Sequence, residues 1–242
     1  MEQKTAIVIG ASTGIGAATA EALAQQYKKI AITSFRHSEK LKEVQQKILA
    51  QGTDCYAETG DAGDFTFVKQ FIEHVTEHFG KKIDLLVNNA GISYVGLLTD
   101  MDETDWKRII DTNITSVFNT CRQVVPYMVH AHKGHIINIS SVWGNVGASC
   151  EVAYSATKGA VNAFTKALAK ELAPSGIAVN AIAFGAIDTT MNGHLSLEEK
   201  TEYLENYATT HKHFSFRSLL EAQSSKVEVI VTFLAILELM KT

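Results

Sequence analysis

The sequence predicts an α/β fold, with a doubly wound parallel sheet that is covered by helices on both faces. Two observations carry this prediction. Short runs of apolar, β-branched residues alternate with longer helical stretches, and a glycine-rich turn directly follows the first run. Alternating strands and helices indicate βαβ units, which form parallel sheets. Strands buried on both faces show continuous apolar runs, as these do.

Five runs are predicted to be buried strands, and a sixth run is weaker. The five are residues 5–9, 30–34, 83–87, 135–139 and 177–183, and the weaker run is 54–58. Helices are predicted near 15–27, 38–51, 64–79, 103–130 and 153–173. No repeat or Pro/Gly/Ser-rich linker interrupts this order, so residues 1–242 are expected to form one domain, a size that α/β folds reach at ~250 residues.

The composition restricts partners and location. Of 242 residues, 46% are hydrophobic and 20% are charged, as in ordinary globular proteins. A net charge of −4 gives no basic surface for nucleic acid, and no apolar run or leader predicts a membrane span or secretion. The three cysteines, Cys55, Cys121 and Cys150, are far apart and lack metal-ligand spacing. Buried reduced thiols, a cytoplasmic location and no metal site are therefore expected.

A glycine loop between the first strand and the first helix predicts a dinucleotide site. Residues 10–16 are Gly10-Ala11-Ser12-Thr13-Gly14-Ile15-Gly16. Glycines let the backbone approach a pyrophosphate, and the helix N-terminus offers it free N–H groups and a positive dipole end. A simple tight turn is the alternative, but the strand-loop-helix context favours phosphate binding and a Rossmann-type fold.

The end of the second predicted strand indicates which dinucleotide is bound. NAD sites usually carry a carboxylate about 20 residues after the glycine loop. This chain has Thr33-Ser34-Phe35-Arg36 there, without an acid. Ser34 and Arg36 could bind a 2′-phosphate, because a guanidinium can donate two parallel hydrogen bonds to phosphate oxygens. NADP(H) is therefore predicted in preference to NAD(H). The alternative is that Arg36 is an ordinary solvated charge with no role in binding the cofactor.

Three side chains form a candidate catalytic set. Tyr154 and Lys158 are four residues apart on a predicted helix, so they share one face. A nearby cation favours the phenolate, and we expect Lys158 to lower the tyrosine pKa. Ser141 follows strand 135–139, at the edge where catalytic groups of parallel sheets collect. Each residue alone is more often structural, but their occurrence together with the glycine loop favours catalysis.

These motifs together resemble the short-chain dehydrogenase/reductase family. The chain has the extended glycine loop, Asn88-Asn89-Ala90-Gly91 after the fourth strand, Asn113, and the Ser141, Tyr154 and Lys158 set, in family order. The resemblance covers roughly residues 4–190. Within the family, the context of Tyr154 and the stretch Glu171-Leu172-Ala173-Pro174 are most similar to 3-oxoacyl-acyl-carrier-protein reductases.

The resemblance implies a role for each matching residue. Tyr154 would donate a proton to a carbonyl oxygen, Ser141 would orient that oxygen, and Lys158 would hold the nicotinamide ribose. Asn113 would anchor a water molecule in a proton relay. The remaining implied cofactor contacts are Asp61 and Ala62 at the adenine, Asn88, Ala90 and Gly91 beneath the nicotinamide half, and Ile187 and Thr189 at the carboxamide.

Two departures from the family pattern concern the C-terminal part. Phe184-Gly185 replaces the family's Pro-Gly, which puts a bulky aromatic in place of a rigid turn. Residues 207–226 match poorly and only the helix-like 227–239 is similar, so the final strand is expected to be missing or altered. We expect this tail to come from a truncated or frame-altered gene.

The expected activity is NADPH-dependent reduction of a 3-oxoacyl thioester, either free or bound to an acyl carrier. Two alternatives stay open. One is a dehydrogenase of another secondary alcohol, a sugar or a steroid. The other is an inactive nucleotide-binding relative whose abnormal C-terminus has abolished turnover. The resemblance also implies a homodimer or homotetramer.

Overall fold

In the computed structural model, the structure describes residues 3–185 and residue 187. Over these residues, six strands form one sheet. They are β1 (Thr5–Ile9), β2 (Lys29–Ser34), β3 (Asp54–Thr59), β4 (Leu85–Asn88), β5 (Gly134–Ser141) and β6 (Ile177–Phe184). The weak run at 54–58 is therefore a full strand. Residues 1–185 form one compact unit, and residues 186–242 belong to a second.

The sheet is parallel throughout and has the order β3-β2-β1-β4-β5-β6. The chain moves outward from β1 through β2 to β3, then crosses back and continues from β4 to β6. The order therefore reverses between β1 and β4. Neighbouring connections leave in opposite directions at such a point, and the crevice at the carboxyl ends of the strands is where ligands bind.

Seven α-helices cover the described part of the sheet. They are α1 (Gly14–Leu23), α2 (Ser38–Ala50), α3 (Phe65–Phe79), α4 (Glu103–Ile110), α5 (Ser116–Ala131), α6 (Trp143–Val146) and α7 (Val152–Leu172). A π-helical turn, Asp111–Thr115, joins α4 to α5. The single helix predicted at 103–130 is thus interrupted. Such turns occur frequently at functional sites, because they shift side chains out of the regular helical register.

The two sides of the sheet have separate cores, because successive residues of a strand face opposite ways. In β1, Ala6 and Val8 pack on the side of α1 and α2, whereas Ile7 and Ile9 pack on the side of α3, α5 and α7. All four side chains are buried, with at most 2% of their surface exposed. The predicted doubly wound α/β fold is confirmed.

One strand boundary differs from its prediction for a visible reason. The fourth strand was expected over 83–87, but β4 begins at Leu85. The buried Asp84 carboxylate accepts a hydrogen bond from the Thr5 backbone N–H at 2.9 Å. A side chain therefore takes the place of a backbone acceptor at the entry to the strand.

Several predictions concern residues outside the described part of the chain. The missing final strand, the atypical segment 207–242 and the single domain over 1–242 stay predictions for that reason. Among the described residues, no helix is long and apolar enough to cross a membrane.

Candidate active site

The glycine loop lies at the crevice between β1 and β4. The N–H groups of Gly10 and Ala11 both donate to the Thr33 carbonyl at 2.9 Å, which turns the chain sharply after β1. Gly10 has a φ of +80° and Gly14 a φ of +55°, conformations that side chains rarely adopt. Asn89 Nδ2 donates to the Gly10 carbonyl at 2.7 Å, so the loops after β1 and β4 are joined directly.

The N-terminus of α1 is left free for an anion. Thr13 is the N-cap residue, but its side chain makes no capping hydrogen bond, and the first turn contains no acidic residue. The first N–H groups of a helix have no intrahelical acceptor and carry a positive partial charge. Ile15 carries one of these N–H groups, and Ser12 and Thr13 come immediately before the helix. The arrangement fits a pyrophosphate, as the sequence predicted.

Two hydroxyl groups at the end of β2 lack partners. Ser34 Oγ and Thr33 Oγ1 are buried and have no hydrogen-bond partner in the structure. Unpaired buried polar groups are costly, so a ligand hydroxyl or phosphate is a natural partner for them. Arg36 follows two residues after Ser34, with its guanidinium 4.6 Å from the Phe35 ring centroid. The structure thus brings a hydroxyl and a cation to the predicted ribose end.

The loop after β3 forms the next wall. The Gly60 N–H donates to the Ser34 carbonyl at 2.9 Å, which places this loop beside the end of β2. Asp61 Oδ1 accepts from the Gly63 N–H at 2.8 Å, so its carboxylate shapes the turn. Asn119 Nδ2 holds the turn by donating to the Ala62 carbonyl at 3.0 Å. The predicted adenine contacts therefore lie next to the predicted ribose end.

A chain of buried side-chain hydrogen bonds passes beneath the site. Thr120 Oγ1 donates to Asn88 Oδ1 at 2.7 Å, and Asn88 Nδ2 donates to Asn138 Oδ1 at 2.8 Å. Asn138 Nδ2 then donates to Thr165 Oγ1 at 2.9 Å. The chain links α5, β4, β5 and α7. Asn88 was predicted as a cofactor contact, but its amide is occupied within this network, so its side chain acts in the scaffold.

Ser141 and Tyr154 come together at the carboxyl end of β5. Tyr154 lies in the first turn of α7, and its hydroxyl lies close enough to Ser141 for this neighbour to lower its pKa. Ser141 Oγ also accepts from the Trp143 N–H at 3.2 Å. Burial raises the Tyr154 pKa above its usual value of 10.0, the neighbouring Ser141 opposes the rise, and the Glu151 charge adds to it. The predicted net lowering of the Tyr154 pKa is wrong for this structure, because burial is the largest cause of the shift and raises the pKa.

Lys158 is fixed beside the Tyr154 ring. Its Nζ donates to the Ile139 carbonyl at 2.8 Å and lies 5.6 Å from the centroid of the Tyr154 ring. Only 4% of the residue is exposed, and this burial lowers the lysine pKa from 10.5 to about 8. A Cβ on Gly91 would lie 3.4 Å from Nζ, so a glycine there keeps space beside the amine.

Asn113 sits in the π-helical turn and clamps the loop after β4. Its Oδ1 accepts from the Ile92 N–H at 2.8 Å, and its Nδ2 donates to the Ile92 carbonyl at 2.9 Å and to Thr157 Oγ1 at 3.0 Å. All side-chain bonds therefore go to protein. The side chain therefore positions this loop, and the implied role of Asn113 in a water relay stays a prediction.

Two contacts beside the start of α7 were not predicted from the sequence. Ser93 Oγ donates to Glu151 Oε2 at 2.7 Å, and the Gly96 N–H donates to the Cys150 carbonyl at 2.8 Å. Both join the loop after β4 to the segment before α7. These residues are 58 positions apart in the first case, and no local motif marks such a pair.

The remaining predicted residues have mixed outcomes. Phe184 continues β6 opposite Ser141, and its carbonyl accepts from the Val142 N–H at 2.9 Å. Ile187 is described but belongs to the second unit, and Thr189 lies outside the described residues. Both stay predictions. The three cysteines are free, as expected, but Cys150 is only partly buried.

Replacement of Gly16 tests the glycine loop. A Cβ at this position would clash with the Gly10 carbonyl and with Asn89 Nδ2, so it would break the bond between the two loops. We expect Gly16→Ala to weaken NADPH binding at least about tenfold, measured by fluorescence titration. Ala18→Ser, on the exposed side of the same helix, is the control and leaves the Kd unchanged. Unchanged binding by Gly16→Ala would contradict the assignment.

The buried lysine predicts a pH-dependent stability. Above pH 8 folded Lys158 releases a proton that the unfolded chain keeps until about pH 10.5, so the unfolded state binds more protons in this window. The free energy of unfolding should therefore rise with pH relative to Lys158→Met, by at most ~1.4 kcal/mol per pH unit.

Urea unfolding of both proteins between about pH 8 and 9 measures this difference, below the range in which tyrosine titrates. The matched control is Lys170→Met, which removes an exposed lysine from the other end of α7. Its difference from the wild type should not change with pH. A flat difference for Lys158→Met as well would show that the amine keeps an ordinary pKa.

Comparison with known proteins agrees with this geometry. Residues 4–200 match the short chain dehydrogenase family. The chain is 42% identical over 201 residues to a 3-oxoacyl-[acyl-carrier-protein] reductase of Staphylococcus aureus, covering 83% of this chain and 81% of that protein.

Two solved structures have the same fold. One is a protein of Sinorhizobium meliloti assigned as a short-chain alcohol dehydrogenase, with a TM-score of 0.77 and 33% identity over 84% of this chain and 81% of that one. The other is an NAD⁺-bound xylitol dehydrogenase, with a TM-score of 0.72 and 33% identity over 75% and 70%. The chain therefore belongs to the short-chain dehydrogenase family of oxidoreductases, whose members bind a nicotinamide cofactor.

Proposed function

We propose that this protein reduces the ketone of a 3-oxoacyl thioester with NADPH, using Tyr154 as the proton donor. The observation that carries the proposal is that Ser141, at the carboxyl end of β5, lies beside Tyr154, and that the buried Lys158 amine lies 5.6 Å from the tyrosine ring. Similarity to 3-oxoacyl-[acyl-carrier-protein] reductases at 40–42% identity supports the substrate class.

The residues at the crevice fit a dinucleotide. Glycines keep the loop after β1 open where side chains would clash, the α1 N-terminus is uncapped, and Ser34 Oγ is a buried hydroxyl without a partner. Gly10, Gly14 and Gly16 would hold the pyrophosphate with the N–H groups of Ser12, Thr13 and Ile15. Ser34 and Arg36 would hold the 2′-phosphate, which supports NADP(H) over NAD(H). Lys158 would bind the nicotinamide ribose.

The state of Tyr154 suits the direction of reduction. The hydroxyl is protonated at neutral pH and has a proton to donate, while burial, which raises its pKa, makes it a weaker acid. Ser141 would hold the ketone oxygen next to it. When bound, NADPH supplies the hydride to the carbonyl carbon. Tyr154 gives its proton to the oxygen and completes the alcohol, and the phenolate left behind is stabilised by the nearby Lys158 ammonium.

Removal of the phenol hydroxyl tests this mechanism. Tyr154→Phe is expected to lower kcat for NADPH oxidation with an acetoacetyl thioester by about 10²- to 10⁴-fold, the usual contribution of a general acid. NADPH binding should persist, because the ring remains. Tyr127→Phe on α5 is the control, and it should keep full activity.

Each other outcome of this assay has a definite meaning. Wild-type protein that binds NADPH but turns over no ketone would support the nucleotide-binding alternative. Oxidation of polyols with NAD⁺, without thioester reduction, would support the alternative alcohol or sugar dehydrogenase.

Replacement of Arg36 tests the cofactor preference. Loss of a charged hydrogen bond costs about 1.5–3 kcal/mol, which corresponds to a rise of about 10- to 100-fold in the KM for NADPH. The KM for NADH should change little in Arg36→Ala, because NADH has no 2′-phosphate. Arg122→Ala, which removes an exposed arginine from α5, is the matched control. Equal losses with both cofactors would refute a specific contact with the 2′-phosphate.

A further inference from the structure

Thr157 lies on α7, immediately before Lys158 and one helical turn after Tyr154. The residue is completely buried, with 0% of its surface exposed. Its hydroxyl donates to the Tyr154 backbone carbonyl at 2.8 Å. Threonine hydroxyls in helices often bond a carbonyl three or four residues earlier, so this bond alone indicates no special role.

A second hydrogen bond distinguishes Thr157 from an ordinary helical threonine. Its Oγ1 also accepts from Asn113 Nδ2 at 3.0 Å, and Asn113 lies 44 positions earlier, in the π-helical turn. Asn113 is only 1% exposed, and its Nδ2 also donates to the Ile92 carbonyl at 2.9 Å. The two bonds use both amide protons, so the Thr157 hydroxyl satisfies a buried donor that would be costly without an acceptor.

The direction of each bond in this row follows from its first member. The Ile92 N–H can only donate, so its acceptor at 2.8 Å has to be the Asn113 carbonyl oxygen. The Asn113 amide nitrogen then faces Thr157, whose oxygen accepts and whose single proton goes to the Tyr154 carbonyl. Because a buried row with one polarity tolerates few other arrangements, it holds the backbone at Ile92 and the backbone at Tyr154 in a fixed relation.

Both ends of the row belong to the proposed site. One end is Tyr154, the proposed proton donor. The other end, Ile92, directly follows Gly91, where a Cβ would lie 3.5 Å from Asn113 Oδ1 and 3.4 Å from Lys158 Nζ. The loop proposed to lie beneath the nicotinamide half is thus joined, through the Thr157 hydroxyl, to the helix turn that carries the phenol.

We infer that Thr157 is a positioning residue, whose hydroxyl holds the proton donor Tyr154 in register with the loop that borders the nicotinamide. This inference rests on the proposed function, because it concerns the reaction at the same site. Delivery of a hydride and a proton to one carbonyl group requires both donors to be aligned, and small misplacements slow such steps strongly. Thr157 acts through Asn113 and Tyr154 rather than by touching the substrate.

The test compares Thr157→Val, which nearly keeps the shape but lacks the hydroxyl, with Thr157→Ser, which keeps the hydroxyl. We expect Thr157→Val to lower kcat for reduction of an acetoacetyl thioester with NADPH about tenfold, the size of effect that follows from losing one buried hydrogen bond. Fluorescence titration should show the full stoichiometry of NADPH binding, which excludes a loss of folded protein. Thr157→Ser should restore most of the activity.

A second measurement follows the row itself and does not depend on turnover. The Ile92 N–H is bonded to Asn113, so its hydrogen exchange, measured by NMR, reports whether that side chain is held. We expect this amide to exchange about tenfold faster in Thr157→Val and at the wild-type rate in Thr157→Ser.

The matched control is Thr76→Val on α3. Its hydroxyl makes the same kind of helical bond, to the Glu73 carbonyl at 2.9 Å, but it lies outside the site. This variant should change neither kcat nor the exchange of the Ile92 amide.

A wild-type kcat in Thr157→Val overturns the inference, as does a loss of activity that Thr157→Ser shares in full. A lower kcat with unchanged exchange at Ile92 also overturns it, because the effect would then not pass through Asn113. If the wild type reduces no ketone, the proposed function fails instead, and the exchange at Ile92 decides alone. Faster exchange in Thr157→Val then supports the joined row, and unchanged exchange overturns it.

Discussion

The row of buried hydrogen bonds from Thr120 through Asn88 and Asn138 to Thr165 ties together the four elements that carry the site. Its side chains are at most 5% exposed, so each amide or hydroxyl would be costly without its partner. Because a side-chain network in a low-dielectric interior tolerates few alternative arrangements, it sets the register of β4 against β5 and the depth of α5 and α7. The same network therefore sets the relative positions of three residues of the site, Ser141, Tyr154 and Lys158.

The pKa values of Tyr154 and Lys158 are shifted mainly by burial and less by pairing with other charged groups. Burial raises the pKa of Tyr154 and lowers that of Lys158, so both groups move toward their neutral forms. A neutral phenol is an acid ready to donate, which suits reduction. The lysine amine has an acceptor in the Ile139 carbonyl. Under the proposed function, a dinucleotide bound nearby would favour the ammonium form, which would in turn favour the phenolate after proton transfer.

The loops of the site are held in place by different sets of hydrogen bonds. Toward the cofactor, the turn after β1 is fixed by two bonds to the Thr33 carbonyl and by Asn89. Toward the substrate, Asn113 anchors the loop after β4 at Ile92, and Ser93 and Gly96 join it to the segment before α7. The π-helical turn is what brings Asn113 inward, since a continuous helix through Asp111–Thr115 would place its side chain differently.

The order of strands and helices and the glycine loop were predictable from the sequence, because both depend on local pattern. Continuous apolar runs indicate strands that are buried on both sides. The glycine loop can be recognised from the local sequence of the strand, the loop and the helix. The Tyr154 and Lys158 pair was predictable for the same reason, because four residues make one helical turn.

Only the tertiary structure decided the rest. Three features join residues that are far apart in the chain, so no local motif predicts them. They are the bond between Ser93 and Glu151, the network around Asn88, and the bonds from Asn113 to Ile92 and Thr157. The pKa of Tyr154 was predicted in the wrong direction, because sequence spacing reveals a neighbouring charge but not the depth of burial that outweighs it. The sequence by itself determined which groups are present at the site. Packing determined their protonation and their partners, because desolvation and long-range hydrogen bonds exist only once the chain has folded.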